Sequence, residues 1–274
     1  MDIHIKKNKN SNNLTNISQV ASVLHILISN YSFLNKFYTC EYITRRFENY
    51  IIYILYKMIV YLITRFSICD YNYKGYRMTQ NLGIEEYKSY LFSKKRLDYK
   101  FNSFEKITLP SIVSQTDDNY IWEIYASKYL PIEYKNRLLE STNKYKKIKI
   151  FFINSFKEFN KSNKVKDKYC TARLDDDDGL NKNFVKILQK YKDKTNEIIS
   201  FPKGQKFTIS NNKIIYGENV EKKNTAQGLC AIDMNIYKCG NHTKVNNKFK
   251  VTYDMTPDMY LLNCSEFCDT KRNL

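Results

Sequence analysis

Four consecutive aspartates, Asp175–Asp178, follow the run Thr171-Ala172-Arg173-Leu174. Crowded carboxylates repel one another unless water or a cation neutralises them. Here they end an apolar segment, which predicts that some of them face a ligand site. If the backbone stays extended, Asp175 and Asp177 project to the same side. Two hard oxygen ligands suit Mg²⁺ or Mn²⁺, which complete their shells with water and substrate phosphates. A cation so held neutralises a departing nucleoside diphosphate. Asp175 and Asp177 are therefore the predicted metal ligands, and Asp178 is expected to cap the next helix. The plainer reading is a solvated acidic turn; the strand before it argues for the metal.

Other candidates are scattered along the chain. Thr64-Arg65 closes an apolar run and is expected to contact the diphosphate or base of a bound nucleotide donor, with a surface ion pair as the alternative for Arg65. Arg173 is expected to neutralise the aspartates and, with Asp175 and Asp176, to face the donor. His242, one of three histidines, sits in a Gly-Asn-His-Thr loop and is the candidate third metal ligand. Asp254 and Asp258 lie late, where one carboxylate can take the proton of an acceptor hydroxyl. Lys203 and Lys206 flank Gly204 and are read as ordinary surface lysines. Trp122 and the phenylalanines are read as core.

The elements that must position these residues follow from hydrophobic patterning. "MIVYLIT" (58–64), "YIWEIYAS" (120–127) and "IKIFFI" (148–153) are continuous apolar runs, the mark of strands buried on both faces. Between them lie helical patterns over 84–116, with Pro110 as a kink, and over 133–141. After the aspartates come a helix over 183–191, a strand in "EIISFP" and a hairpin in "FTIS…KIIYG". Strand and helix alternate, predicting an open, mostly parallel α/β sheet. Ligands bind beyond the carboxyl ends of such strands, where Thr64-Arg65, Ser127-Lys128 and Asp175–Asp178 all fall.

The chain has 274 residues and a formal net charge of +17, from 45 basic and 28 acidic residues. Such a charge attracts polyanions. The lysines are dispersed, however, and Lys, Asn, Ile and Tyr are abundant throughout, which fits coding bias better than a selected nucleic-acid face. Seven cysteines without a CxxC exclude a zinc ribbon and fit a reduced, cytoplasmic compartment. The apolar stretches at 17–28 and 50–63 are too short and too interrupted for a signal peptide or a membrane span of ~20 residues. Residues 14–56 read as an apolar, aromatic-rich helical extension preceding a catalytic domain over 57–274. That extension is expected to pack on the domain, with peripheral membrane contact as the alternative.

At "YLITRFSI" (61–68), the segment 90–127 with its "LPSI" helix, "LPIEYKNRL" (130–138) and "TARLDDDDGLNKNFV" (171–185), the chain resembles the rhamnosyltransferase family of GT-A-type glycosyltransferases. "GL" (228–229) and "GNHTKV" (240–245) extend the likeness to about residue 250. The resemblance implies a GT-A fold, a nucleotide-sugar donor such as dTDP-rhamnose or a UDP-sugar, and a glycan or glycolipid acceptor. The competing readings are a basic nucleic-acid-binding protein and a metal-dependent phosphohydrolase. The first lacks a recognition motif, and the second lacks further carboxylates at the other strand ends.

Overall fold

A computed structural model describes residues 57–70, 82–156, 158 and 168–268. The helical extension expected over residues 14–56 lies outside them.

The apolar runs form the strands expected of them. Strand β1 is Ile59–Phe66, β2 is Tyr120–Ser127, β3 is Ile148–Ile153 and β4 is Tyr169–Asp175. All four are parallel, in the order β4-β1-β2-β3. On the other side of β4 come β9 (Cys230–Ile232), β6 (Ile198–Ser200) and β10 (Val251–Tyr253). Only β9 runs against the rest of this seven-stranded sheet. A second sheet has the order β5-β11-β7-β8, built from Gly179–Leu180, Tyr260–Asn263, Lys203–Ser210 and Lys213–Glu221. Its β7–β8 pair is the expected hairpin. The large, mostly parallel α/β sheet is the architecture that the GT-A resemblance implies.

Side chains alternate across β1. Val60, Leu62, Thr64 and Phe66 enter the main core, while Tyr61 and Ile63 line the opposite face. Helix α1 (Ile84–Leu91) packs Tyr87 and Leu91 with Cys69 in a smaller cluster, while the core is completed by helices α2 (Lys94–Ser103), α3 (Leu109–Val113), α4 (Ile132–Thr142) and α5 (Phe184–Leu188). The helical pattern expected over 84–116 is broken at Phe92-Ser93. It is then widened into a π-turn over Phe104–Thr108, just ahead of Pro110. Proline cannot donate to the helical ladder, and the wide turn absorbs the change of register at that point. The helix expected over 183–191 shortens to α5 and one 3₁₀ turn.

Within the second sheet, the paired strands β7 and β11 make a close approach. A Cβ on Gly204 would lie 2.4 to 2.6 Å from three ring atoms of Tyr260, which is 1% exposed and donates its hydroxyl to the Pro202 carbonyl. Gly204→Ala must therefore move a buried ring, at a cost of about 1–3 kcal/mol. The expected result is a melting temperature roughly 5 °C lower. A variant melting with the wild type would show that the contact yields freely.

The six cysteines among the described residues are all buried. No helix among the described residues is long and apolar enough to cross a membrane.

Candidate active site at the carboxyl edge of the parallel strands

Parallel register brings the predicted segments to one edge. Arg65 lies beside Asp175, two positions beyond the β1–β4 pair Ile63 and Arg173. Alternation places Arg65, Arg173 and Asp175 on the face away from the main core. The Arg173 guanidinium holds the Asp175 carboxylate at 3.1 Å, and Gln227 Nε2 donates to its other oxygen at 3.4 Å. Tyr237 lies beneath both arginines, its ring centre 4.9 Å from the Arg65 guanidinium and 5.6 Å from that of Arg173. Its hydroxyl donates to the Ile63 carbonyl. His242 is close enough to feel Arg173, Asp175, Lys222 and Arg65. Burial, then Arg173, push its pKa down to about 4, so the imidazole is neutral at physiological pH.

The four aspartates divide into three roles. Asp175 keeps a side chain 25% exposed. Asp176 and Asp177 turn inward onto Lys100 of α2, at 2.9 and 2.8 Å, with all three side chains nearly inaccessible. Asp178 accepts from Gln227 Nε2 at 2.5 Å and from the Asn263 amide at 2.7 Å. One cation faces two carboxylates in a dry site. Burial works against the Lys100 ammonium, but Asp176 and Asp177 outweigh it and hold its pKa well above the lysine range. Burial also lifts Asp176 to about 6 despite Lys100, with Asp177 adding to the rise. The two shifts pull opposite ways on one pair. The imbalance reconciles them: the cation is fully compensated, whereas Asp176 is short of positive charge.

The backbone of the turn is gripped as well. Ser103 Oγ and Asn263 Nδ2 donate to the Asp177 carbonyl at 3.0 and 3.3 Å. Thr108 Oγ1 donates to the Asp176 carbonyl at 3.3 Å. Asn263 is fully buried; it also accepts from Tyr99 Oη and donates to Ser103 Oγ.

Several expectations are corrected by these contacts. Asp177 does not share its surroundings with Asp175; as a metal ligand it would have to surrender a buried ion pair, so Asp175 alone of that pair faces the edge. Asp176, expected to face the donor, is likewise committed to Lys100. Asp178 does not cap a helix, because α5 begins six residues later and β11 has claimed its oxygen. Thr64, expected at the donor, is fully buried on the core face, where its hydroxyl accepts from the Trp122 indole at 2.9 Å. Asp254 accepts from Tyr191 Oη at 2.7 Å and from Thr256 N at 2.9 Å and Oγ1 at 2.5 Å. Burial raises its pKa, but those hydrogen bonds prevail and hold it below the usual range. It follows β10, three strands and about 14 Å from β4, away from Asp175. Asp258 is exposed, with φ 54° in a turn whose carbonyl accepts from Asn181. Neither aspartate joins the Arg65–Asp175 cluster as a base.

No group of three or more His, Cys, Asp or Glu side chains among the described residues is arranged to hold a metal by itself. Asp175 and His242 offer two donors, one oxygen and one nitrogen. That number fits an Mg²⁺ or Mn²⁺ which takes its other ligands from diphosphate and water. Tyr237, Gln227, Lys100 and Asn263 escape a reading of the sequence. The likeness over 90–127, which contains Lys100, and that at Gly228-Leu229, beside Gln227, pointed near two of them, and Gly228 does adopt φ +66° beside Phe184.

Residues 59–274 match the model of the family described as "Putative rhamnosyl transferase". No curated protein matches the chain. Among solved structures, S. aureus TarS 1-349 is similar at 10% identity and a TM-score of 0.46, covering 77% of this chain and 62% of that one. Its complex with UDP-GlcNAc gives 10% and 0.44, covering 76% and 59%. A structure described as a "Putative Glucose-1-Phosphate Thymidylyltransferase" from Bacillus anthracis gives 10% and 0.35, covering 73% and 88%. The chain thus spans less than two thirds of the TarS chains it resembles.

Proposed function

This chain belongs to the rhamnosyl transferase family whose model it matches, a family of glycosyltransferases, and from that premise we propose that it moves a sugar, rhamnose first among candidates, from a nucleoside diphosphate to a glycan or glycolipid acceptor. The observation that carries the reading is the cluster of Arg65, Arg173, Tyr237, His242 and Asp175 at the carboxyl edge of β1 and β4. Ligands of open α/β sheets bind at such an edge.

The residues divide the work by their chemistry. Arg65 and Arg173 present planar donors suited to diphosphate oxygens. The Tyr237 ring fixes both guanidiniums in place, which lowers the entropy lost when they engage a ligand. Asp175 and His242 would hold the Mg²⁺ or Mn²⁺. When bound, that ion neutralises charge building on the departing diphosphate. Lys100 keeps the inner half of the acidic turn fixed, so Asp175 is presented on a rigid support.

The test is nucleotide-sugar turnover with purified protein. dTDP-rhamnose is tried first and UDP-sugars next, with Mn²⁺ or Mg²⁺ and then with EDTA. Nucleic-acid binding and phosphatase assays serve as controls. The expected result is nucleoside diphosphate release that depends on the cation. Full activity in EDTA would remove the metal from the reading. Turnover of lipid-linked or non-nucleotide donors alone would overturn the donor class.

A further inference from the structure

A sheet of hydrogen-bonding strands has ends, and each end exposes backbone groups that invite another strand unless something blunts them. Among the described residues the two sheets have four such ends: β10 and β3, and β5 and β8. Strands β10 and β5 are only three and two residues long. Strand β8 is long, but it carries Lys213, Glu218 and Glu221, and its pairing with β7 is interrupted between Gln205 and Phe207. Shortness, charge and a bulge are the usual protections. Strand β3 is the least protected of the four: it is six residues long, has no bulge in its pairing with β2, and Lys149 is its single charge. Its sequence is IKIFFI, with one charge, no proline and no glycine, and its first five residues are all at least partly exposed.

The direction of its free groups can be read from its bonds to β2. Trp122 N donates to Lys147 O, and Lys128 N donates to Ile153 O. In a parallel ladder alternate residues bond to the same neighbour. The odd-numbered residues therefore turn inward, and the amide and carbonyl groups of Ile150 and Phe152 point out. The surface beside them carries exposed apolar side chains among charged ones. Ile132 and Leu139 of α4 are 70% and 44% exposed, and Tyr129 in the preceding loop is 47% exposed. Lys135, also on α4, lies over the Phe152 ring and ties this flank to the strand edge.

We propose that β3 is the interface of a homodimer, in which two copies add their β3 strands antiparallel about a two-fold axis at Phe151. The strand is complementary to itself in this register. Ile150 of each copy faces Phe152 of the other, using all the outward groups of both residues. Lys149 faces Ile153, so no like charges are opposed. Exposed Ile132 and Leu139 on the flanking helices supply the apolar burial that a six-residue ladder alone lacks. Strand β3 lies three places from β4, so this dimer keeps the Arg65–Asp175 edge open.

The test is sedimentation of the full chain, together with hydrogen exchange at the Ile150 and Phe152 amides. The expected species is twice the 32.7 kDa chain mass at micromolar concentration. Both amides should be protected in the dimer and lose protection on dilution. Ile132→Glu with Leu139→Glu changes only exposed side chains, so the chain stays folded; the dissociation constant should rise at least ~10-fold. Three results would overturn the proposal: a monomer at all concentrations, a dimer with fast exchange at both amides and no response to the double variant, or protection that persists in the monomer. The last would mean that another part of this chain covers the edge.

Discussion

Replacing Lys100 by methionine is expected to lower the melting temperature by roughly 10 °C. The ammonium is buried between Asp176 and Asp177 at 2.9 and 2.8 Å, and methionine fills its volume while removing its charge. Two carboxylates are then left facing each other in a dry site. Removing one member of a buried ion pair costs about 3–5 kcal/mol, and each kcal/mol is worth about 2–4 °C for a domain of this size. The pH dependence separates this from a mere packing fault. Asp176 already has a pKa near 6, above its unfolded value, and losing Lys100 raises it further. A carboxyl with a raised folded pKa is neutral in the fold at low pH, and its penalty grows as pH rises through that pKa. The deficit of Lys100→Met should therefore shrink between pH 8 and pH 5. Adding Asp176→Asn and Asp177→Asn should restore part of the loss. A deficit flat with pH, or no recovery in the triple variant, would mean that the pair is not what holds this turn.

Asp175→Asn should do the opposite, abolishing turnover and sparing the fold. Its partners are Arg173 and, more loosely, Gln227, at the surface end of β4. The pair is part-buried but not dry, and asparagine keeps an oxygen that can accept from both partners, so the cost should be about 1 kcal/mol and melting should stay within about 4 °C of wild type. If Asp175 holds the cation, its loss removes several kcal/mol of stabilisation from the reaction, a fall of about 10²–10³-fold. Asp177→Asn makes the contrast within the same motif: it breaks a buried pair and should show first as instability. Wild-type turnover by folded Asp175→Asn would place the chemistry elsewhere.

The framework was legible because burial on both faces writes itself into sequence as continuous apolar runs. The runs at 58–64, 120–127 and 148–153 became β1, β2 and β3 within a residue or two. The choice among four identical aspartates was not legible. Their facing is decided by Lys100, Ser103 and Thr108, some seventy residues earlier, and by Asn263, about eighty-five later. No local periodicity carries that information. Thr64 misled because a polar residue in an apolar strand reads like a ligand contact, whereas a buried indole N–H needs an acceptor just as much. Asp254 could have been recognised: Asp-x-Thr is an Asx-turn pattern, and Thr256 satisfies that carboxylate locally.

Asn263 has a consequence in time as well as in space. It bonds to Tyr99, Ser103, Asp177 and Asp178, partners up to 164 residues away along the chain. Closing so long a loop is slow, and its entropy is lost before its contacts form. The helices and the β1–β2 pairing are more local and can assemble earlier. The acidic turn is thus among the last parts to take its final shape, and a half-folded chain already rich in secondary structure would still lack a working site.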